Sequence, residues 1–297
     1  MFDVPILIIT YNRVEFTHDL FTEIRKIRPE KLYVAADSAI SGDRIDYQHC
    51  LETRCVFRPE WPCDLHTFFP ESHLGKAGIV AQAVSWFFSQ EEEGIILFDD
   101  TLPHPDFFPF CKEMLDHFRD DKRIVHIGGT NMLRKPEKFV EGSYYFSAYP
   151  ATWAFATWKD RWEGFDLKMK QLEDIDMSAM IEKYTFKTKA VNFWNRRYNL
   201  LLKENIDIWE YPYIFHLWKS NGLSVVPAVN LVQNRGFRPQ KRRLRKLNRP
   251  IQSVMPLTHS DVIEQNVKAD RYVFRRYYRK DKLTFLQRWL NENVFND

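Results

Sequence analysis

The sequence predicts an α/β fold in which a doubly wound, mainly parallel sheet is flanked by helices. Three observations predict it. First, several runs such as Pro5-Ile6-Leu7-Ile8-Ile9 and Gly94-Ile95-Ile96-Leu97-Phe98 are apolar throughout yet short, as strands buried on both faces must be. Second, segments with apolar residues at helical spacing alternate with these runs, the pattern of repeated β-α-β units. Third, polar and acidic residues follow several of the apolar runs directly, which is where ligands of open α/β sheets collect.

In chain order, the first strand ends at Thr10-Tyr11-Asn12-Arg13, and Phe16, Leu20, Ile24 and Ile27 then mark a helix face. Residues 31–36 predict a second strand ending at Asp37, and the run Arg54-Cys55-Val56-Phe57-Arg58 a third, with Pro59 and Pro62 limiting its extent. His73-Leu74-Gly75-Lys76-Ala77-Gly78 opens a helix whose apolar face carries Ile79, Ala83, Trp86 and Phe87. The Gly94 strand follows, then a helix near 107–118 and a strand at 124–127. From Tyr144 onward the segments are richer in aromatics, with helices near 191–202 and 213–220 and a short strand at 224–226. No internal repeat or Gly/Ser-rich linker divides the chain, so residues 1–235 read as one domain with a donor-side half to about 130 and an acceptor-side half from 131. Residues 236–297 form a basic, aromatic-rich C-terminal extension.

Composition narrows the class. The 297 residues, 44% hydrophobic and 28% charged, can bury a sizeable core. The longest apolar runs are too short to span a bilayer, and Asp3 precedes the first without a basic segment, so a cytoplasmic protein without a signal peptide is expected. Cys50, Cys55, Cys63 and Cys111 form no CxxC pair, which favours ordinary thiols over zinc or disulfides. The net charge of +3 hides local concentrations: Arg238 to Arg249 is dense in cations, and Arg271, Arg275, Arg276, Arg279, Lys280 and Lys282 alternate with Tyr272, Phe274, Tyr277 and Tyr278. No nucleic-acid motif accompanies them, so an anionic membrane surface is the expected partner of this extension, against the alternative of a solvated basic face held by its aromatics.

The segment Gly94 to Phe108 runs a strand directly into Asp99 and Asp100, hard oxygen ligands suited to a divalent ion that also grips phosphate. Together with Pro5 to Arg13, Leu74 to Gly78, Ile127-Gly128-Gly129-Thr130-Asn131, Tyr144 to Ser147, Trp153 to Trp158, Trp209-Glu210-Tyr211, Asn221 to Pro227 and Val229 to Asn234, this segment resembles the GT-A-fold, bacterial hemolysin-like (HlpA-type) glycosyltransferase family. That group is distantly similar to N-acetylglucosaminyltransferases with a Glu-Asp-Asp metal motif. The resemblance implies a Rossmann-like GT-A domain that transfers a sugar from a nucleotide-diphosphate donor, with inversion, to a glycan or lipid-linked acceptor. It implies Mn2+ or Mg2+ on Asp100 and Asp99 against the ribose or donor sugar. Thr10, Tyr11 and Arg13 match the nucleotide-cradling turn, and Asp37 a contact to base or ribose. Lys76 and the amides near Gly75 are candidates for phosphate at a helix N-terminus.

An inverting transfer also needs a base for the acceptor hydroxyl. Glu210 stands where the family resembles Trp-Asp-Tyr, with Asp207 in reserve. Trp153, Trp158, Trp209 and Tyr213 are candidate acceptor contacts. His216 and His259 read as hydrogen-bonded structural histidines. Two departures stand out: Phe98 occupies the position of the first motif carboxylate, and Pro212-Tyr213 stands where the family resembles Gln-Trp. Two alternatives therefore stand beside the transferase: a catalytically impaired sugar-nucleotide or glycan-binding protein, and a nucleotidyltransferase on a similar sheet.

Overall fold

A computed structural model describes residues 1–185, 187–204, 206–236 and 255–280. The elements run β1 (Ile6–Thr10), α1 (Val14–Ile27), β2 (Lys31–Ala36), α2 (Arg44–Cys55), β3 (Asp64–Phe68), α3 (Gly75–Phe88), β4 (Glu93–Phe98), β5 (Thr101–Pro103), α4 (Phe107–Phe118) and β6 (Ile124–Gly128). There follow β7 (Tyr144–Ser147), β8 (Ala154–Trp158), α5 (Lys159–Trp162), α6 (Met177–Thr185), α7 (Thr188–Lys203), α8 (Glu210–Lys219), β9 (Leu223–Pro227), β10 (Val232–Asn234) and α9 (Val267–Arg276).

An eight-stranded sheet in the order β3-β2-β1-β4-β8-β6-β9-β7 forms the centre. Strands β3, β2, β1 and β4 pair in parallel, β8 is antiparallel to both β4 and β6, β9 is parallel to β6, and β7 reverses against β9. The sheet is therefore mainly parallel, as expected. Alternation along the strands explains the unbroken apolar runs. Ile6 and Ile8 of β1 face a layer containing Leu20, Ile24 and Phe108, whereas Leu7 and Ile9 face Val80, Ala83 and Phe87 of α3. With both faces covered, the middle of β1 is apolar on both sides. A third apolar cluster, which includes Trp194, Phe215 and Trp218, joins α6, α7, α8 and α9.

One reading from sequence is corrected. Residues 54–55 end helix α2, and the third strand is the later Asp64–Phe68. Residues 255–280, within the segment read as a C-terminal extension, include α9, whose Ala269, Val273 and Phe274 are buried in that third cluster. The dense cations from Arg238 to Arg249 lie outside the described residues. All four cysteines are free thiols. No helix among the described residues is long and apolar enough to cross a membrane.

Candidate active-site cleft

The carboxyl ends of β1, β2 and β4 open onto a cleft of about 530 Å³. Thr10, Tyr11, Arg13, Asp37, Lys76, Asp99, Asp100, Trp153, Asp207, Trp209 and Glu210, all singled out from sequence, line it. Asp99 and Asp100 form the turn from β4 into β5. That turn is fixed from two sides: the Asp99 amide donates to the Ile9 carbonyl at 3.1 Å, and the Arg235 amide donates to the Asp100 carbonyl at 2.7 Å. The β5-β10 ladder carries the chain back past Asp100 and so brings Gly236 against it. A Cβ at Gly236 would stand 2.5 Å from Asp100 Oδ2, so this approach requires glycine.

Asp99 is 8% exposed and accepts from Thr10 Oγ1 at 3.2 Å. Burial pushes its carboxyl up to about 6; Arg13 opposes that shift and the neighbouring Asp100 adds to it. Arg13 is half exposed and reaches both carboxylates, Asp99 Oδ1 at 3.5 Å and Asp100 Oδ2 at 3.2 Å. A single cationic group thus spans the pair. Two adjacent carboxylates are oxygen donors of the kind Mn2+ or Mg2+ takes, and the Arg13 guanidinium, which now bridges them, would have to move aside for a cation to bind. Among the described residues no group of three His, Cys, Asp or Glu side chains is placed to hold a metal. Such an ion would therefore take its remaining ligands from water and phosphate rather than from a protein cage.

The opposite requirement, capping a helix, claims two other candidates. Helix α3 begins at Gly75 and has no side-chain cap of its own. Its four leading amides are satisfied by two remote carboxylates: Asp37 accepts from Leu74 N (3.0 Å) and Gly75 N (3.1 Å), and Asp207 from Lys76 N (2.9 Å) and Ala77 N (2.6 Å). Asp37 is also held by Ser38 N at 2.8 Å and by His73 Nδ1 at 3.0 Å. The expectation of phosphate on these amides is therefore corrected, since carboxylates already occupy them. Each Asp207 oxygen accepts one of these amides, so Asp207 and Asp37 both act as remote caps of α3. Gly75 adopts φ +74°, and a Cβ there would lie 3.0 Å from Asp207 Oδ2. Only glycine meets both conditions without strain.

Glu210 is the first residue of α8, where a carboxylate suits the positive helix end. Its Oε1 pairs with Lys76 Nζ at 2.5 Å, so the expected base and the expected phosphate ligand meet each other. Tyr11 donates to Asp46 Oδ2, and Asn12 Nδ2 donates to Asp46 Oδ1 at 2.7 Å. Burial and this bond push the Tyr11 hydroxyl well above its usual range, so it remains a donor. The Tyr11 ring lies 5.1 Å from that of His73, which also lines the cleft.

Phe98, which stands in place of a carboxylate, gives the cleft an apolar wall and packs on Trp209 at 5.7 Å. Trp209 is almost wholly buried beneath it. Trp158 and Tyr213, expected at the acceptor, are core side chains 2% and 1% exposed, and neither lines the cleft. Trp158 sits under the Arg161 guanidinium at 4.4 Å, and Tyr213 packs among Phe155, Trp162 and His126. His216 bonds the Arg161 carbonyl and His259 the Glu113 carboxylate, both away from the cleft. His73, Asp46 and Gly236 were not singled out from sequence. His73 adjoined the Leu74-Gly75-Lys76 motif and was within reach of that signal, whereas Asp46 lies in a helix with no apolar stripe.

No family model matches the chain, and no curated protein matches it. Among solved structures it is similar to a protein described as a glucose-1-phosphate thymidylyltransferase from Bacillus anthracis, in complex with a sucrose. That likeness has 11% identity and a TM-score of 0.38, and covers 84% of this chain and 96% of that one. It is also similar to the inositol-1-phosphate CTP transferase from T. maritima, at 10% identity and TM-score 0.38, over 76% of this chain and 86% of that one. A UDP-glucose pyrophosphorylase complexed with UDP-glucose aligns at 10% identity and TM-score 0.27, over 48% of this chain and 61% of that one. The chemistry of the cleft therefore rests on its own geometry.

Proposed function

We propose that this chain is a glycosyltransferase that moves a sugar from a nucleotide-diphosphate donor, with inversion, to a hydroxyl of a bacterial surface glycan or lipid-linked acceptor. The observation that carries this reading is the convergence of Arg13, Asp99 and Asp100 with the Lys76-Glu210 pair in one cleft at the carboxyl ends of parallel strands. The turn after β1, Thr10-Tyr11-Asn12-Arg13, contains no glycine, and the α3 amides are already capped. A nucleoside triphosphate is usually cradled by rows of free backbone amides, so this arrangement favours a diphosphate held by cationic groups.

In the proposed reaction the acceptor oxygen attacks the anomeric carbon as that carbon's bond to the β-phosphate oxygen breaks. The hydroxyl proton passes to Glu210, and the bonding pair leaves with the nucleoside diphosphate. Mn2+ or Mg2+ would be held by Asp100 and would supply neutralising charge to the leaving diphosphate, with Asp99 against the ribose or donor sugar. Arg13, which bridges the two carboxylates, would turn from them toward the phosphates. To accept a proton, Glu210 exchanges Lys76 for the hydroxyl, and Lys76 is then released toward the phosphates. Trp153 provides an aromatic wall for a sugar ring.

Product analysis tests this. Incubation with UDP-, GDP-, CMP- and dTDP-sugars and Mn2+ is expected to release the nucleoside diphosphate (CMP from CMP-sugars) from one donor class, and Glu210→Gln to abolish the release. Pyrophosphate release from a nucleoside triphosphate and a sugar phosphate would replace this reading with a nucleotidyltransferase. Donor binding without either release would assign a binding protein and give Phe98 its meaning.

A further inference from the structure

A second cavity, of about 220 Å³, lies far along the chain from the cleft motifs, between the start of α7 and helix α9. Its exposed rim carries Lys187, Lys189, Arg271, Arg275 and Arg279, and its floor includes Tyr184 and Phe274. Elsewhere the protein pairs many of its surface cations with acids: Lys31 with Glu91, Lys112 with Asp3, Arg119 with Glu93, Arg123 with Asp121 and Lys159 with Glu92. None of the five rim cations has an acidic partner among the described residues. Arg275 Nε donates only to the Arg271 carbonyl, at 3.1 Å. Asp270 is the acid of this cavity, but it is buried and already accepts from Ser147 Oγ, Ala148 N and Gln265 Nε2.

The backbone adds to the same field. Helix α7 starts at Thr188 with no side-chain cap and no acid in its first turn, so its positive end is uncompensated beside Lys187 and Lys189. Five like charges from two separate segments repel one another, and gathering them around one opening is unfavourable unless an anion joins them. Helix α9 holds its part of the arrangement rigidly, because Ala269, Val273 and Phe274 are anchored in the core on its other face. The guanidinium forks of Arg271, Arg275 and Arg279 suit a tetrahedral oxyanion, which they can grip through paired N–H groups.

We propose that this cavity is a binding site for a phosphate group, distinct from the cleft, with Tyr184 and Phe274 receiving the apolar part of the molecule that carries it. The phosphate belongs either to a soluble ester or ion or to the headgroup of an anionic lipid.

The test uses the full chain. Melting is followed in inorganic phosphate and in pyrophosphate, against chloride at matched ionic strength, and sedimentation with phosphatidylglycerol vesicles is compared with phosphatidylcholine vesicles. Each is repeated with Lys189→Gln/Arg271→Gln, and with Lys26→Gln/Lys112→Gln as a charge-matched control on α1 and α4. Either a phosphate-dependent rise in melting temperature or selective sedimentation with phosphatidylglycerol is expected, lost in the first variant and kept in the control. The first result assigns a soluble phosphate and the second a lipid headgroup. No response to any probe, or a response that survives in Lys189→Gln/Arg271→Gln, would overturn the proposal. A surviving response to pyrophosphate would mark binding in the cleft instead, so this outcome is separable from failure of the transferase reading.

Discussion

Replacing Asp207 by alanine removes both hydrogen bonds that close the amides of Lys76 and Ala77 at the head of α3. Loss of a helix cap costs about 1–2 kcal/mol when the freed amides are not rescued by another side chain. Helix α3 has no side-chain cap of its own, so none is at hand. For a chain of this size that corresponds to a fall in melting temperature of about 2–8 °C. Asparagine keeps one carbonyl acceptor but no charge, so Asp207→Asn should lose roughly half as much. Gly75→Ala acts on the same contact, since its Cβ would meet Asp207 Oδ2 at 3.0 Å while the backbone stays at φ +74°. It should cost about 1–2 kcal/mol through the left-handed backbone alone. The double variant with Asp207→Ala should lose less than the sum, because the crowding disappears with the carboxylate. Differential scanning fluorimetry and nucleotide release from the best donor are measured on the native chain and on all four variants. A capping residue predicts that Asp207→Asn retains most of the activity and shows an intermediate melting temperature. An Asp207→Asn protein that melts like the native chain yet has lost turnover would refute the capping assignment and point to Asp207 as a base.

Three further outcomes are expected. Burial raises the Asp270 carboxyl to about 6, its three hydrogen bonds opposing the shift, so the folded state holds this proton more tightly than the unfolded chain does. The associated stability is complete below about pH 4 and is lost as pH rises through about 6, by roughly 3 kcal/mol; in urea titrations from pH 4 to 8 the native chain should lose stability relative to Asp270→Asn over that window, and a flat difference would contradict it. Lys76→Met should change stability by less than about 1 kcal/mol, because the Lys76 ammonium is largely exposed, yet lower turnover about tenfold or more if the lysine meets the leaving phosphates; unchanged steady-state kinetics would exclude that role. Phe98→Glu removes the contact with Trp209 and sets a third carboxylate beside Asp99 and Asp100, so it should destabilise the chain by about 1–2 kcal/mol, with Mn2+ recovering part of the loss in a melting assay; equal melting with and without Mn2+ would count against the metal.

The parts of the fold that could be read from sequence were those in which one physical demand dominated. Strands β1, β2 and β4 are covered on both faces, so their residues are apolar without interruption and their ends are marked by the first polar side chain. Thr10, Asp37 and Asp99 mark those ends, and the parallel pairing of β2, β1 and β4 puts all three at one edge. Helix α2 was misread because the residues it buries, Asp46, Cys50 and Thr53, include no large aliphatic side chain, leaving no stripe to see. Strand β3 lies at the edge of the sheet and is only half buried, so Asp64-Leu65-His66-Thr67-Phe68 carries no clean alternation. The capping of α3 by Asp207 joins residues 131 positions apart and leaves no local signature. Aromatic residues were the least informative, because Trp153, just before β8 and at the cleft, and Trp158, at the buried end of β8, look alike in sequence.

In the proposed reaction Asp100 and its neighbours hold a nucleotide-diphosphate sugar together with a divalent ion. Thermal stabilisation by UDP-, GDP-, CMP- and dTDP-sugars, each with Mn2+ and with chelator, measured on the native chain and on Asp100→Ala, tests it most directly. One nucleotide class should raise the melting temperature in a Mn2+-dependent manner, and the rise should vanish in Asp100→Ala. No rise with any donor, or an equal rise in Asp100→Ala, would contradict it.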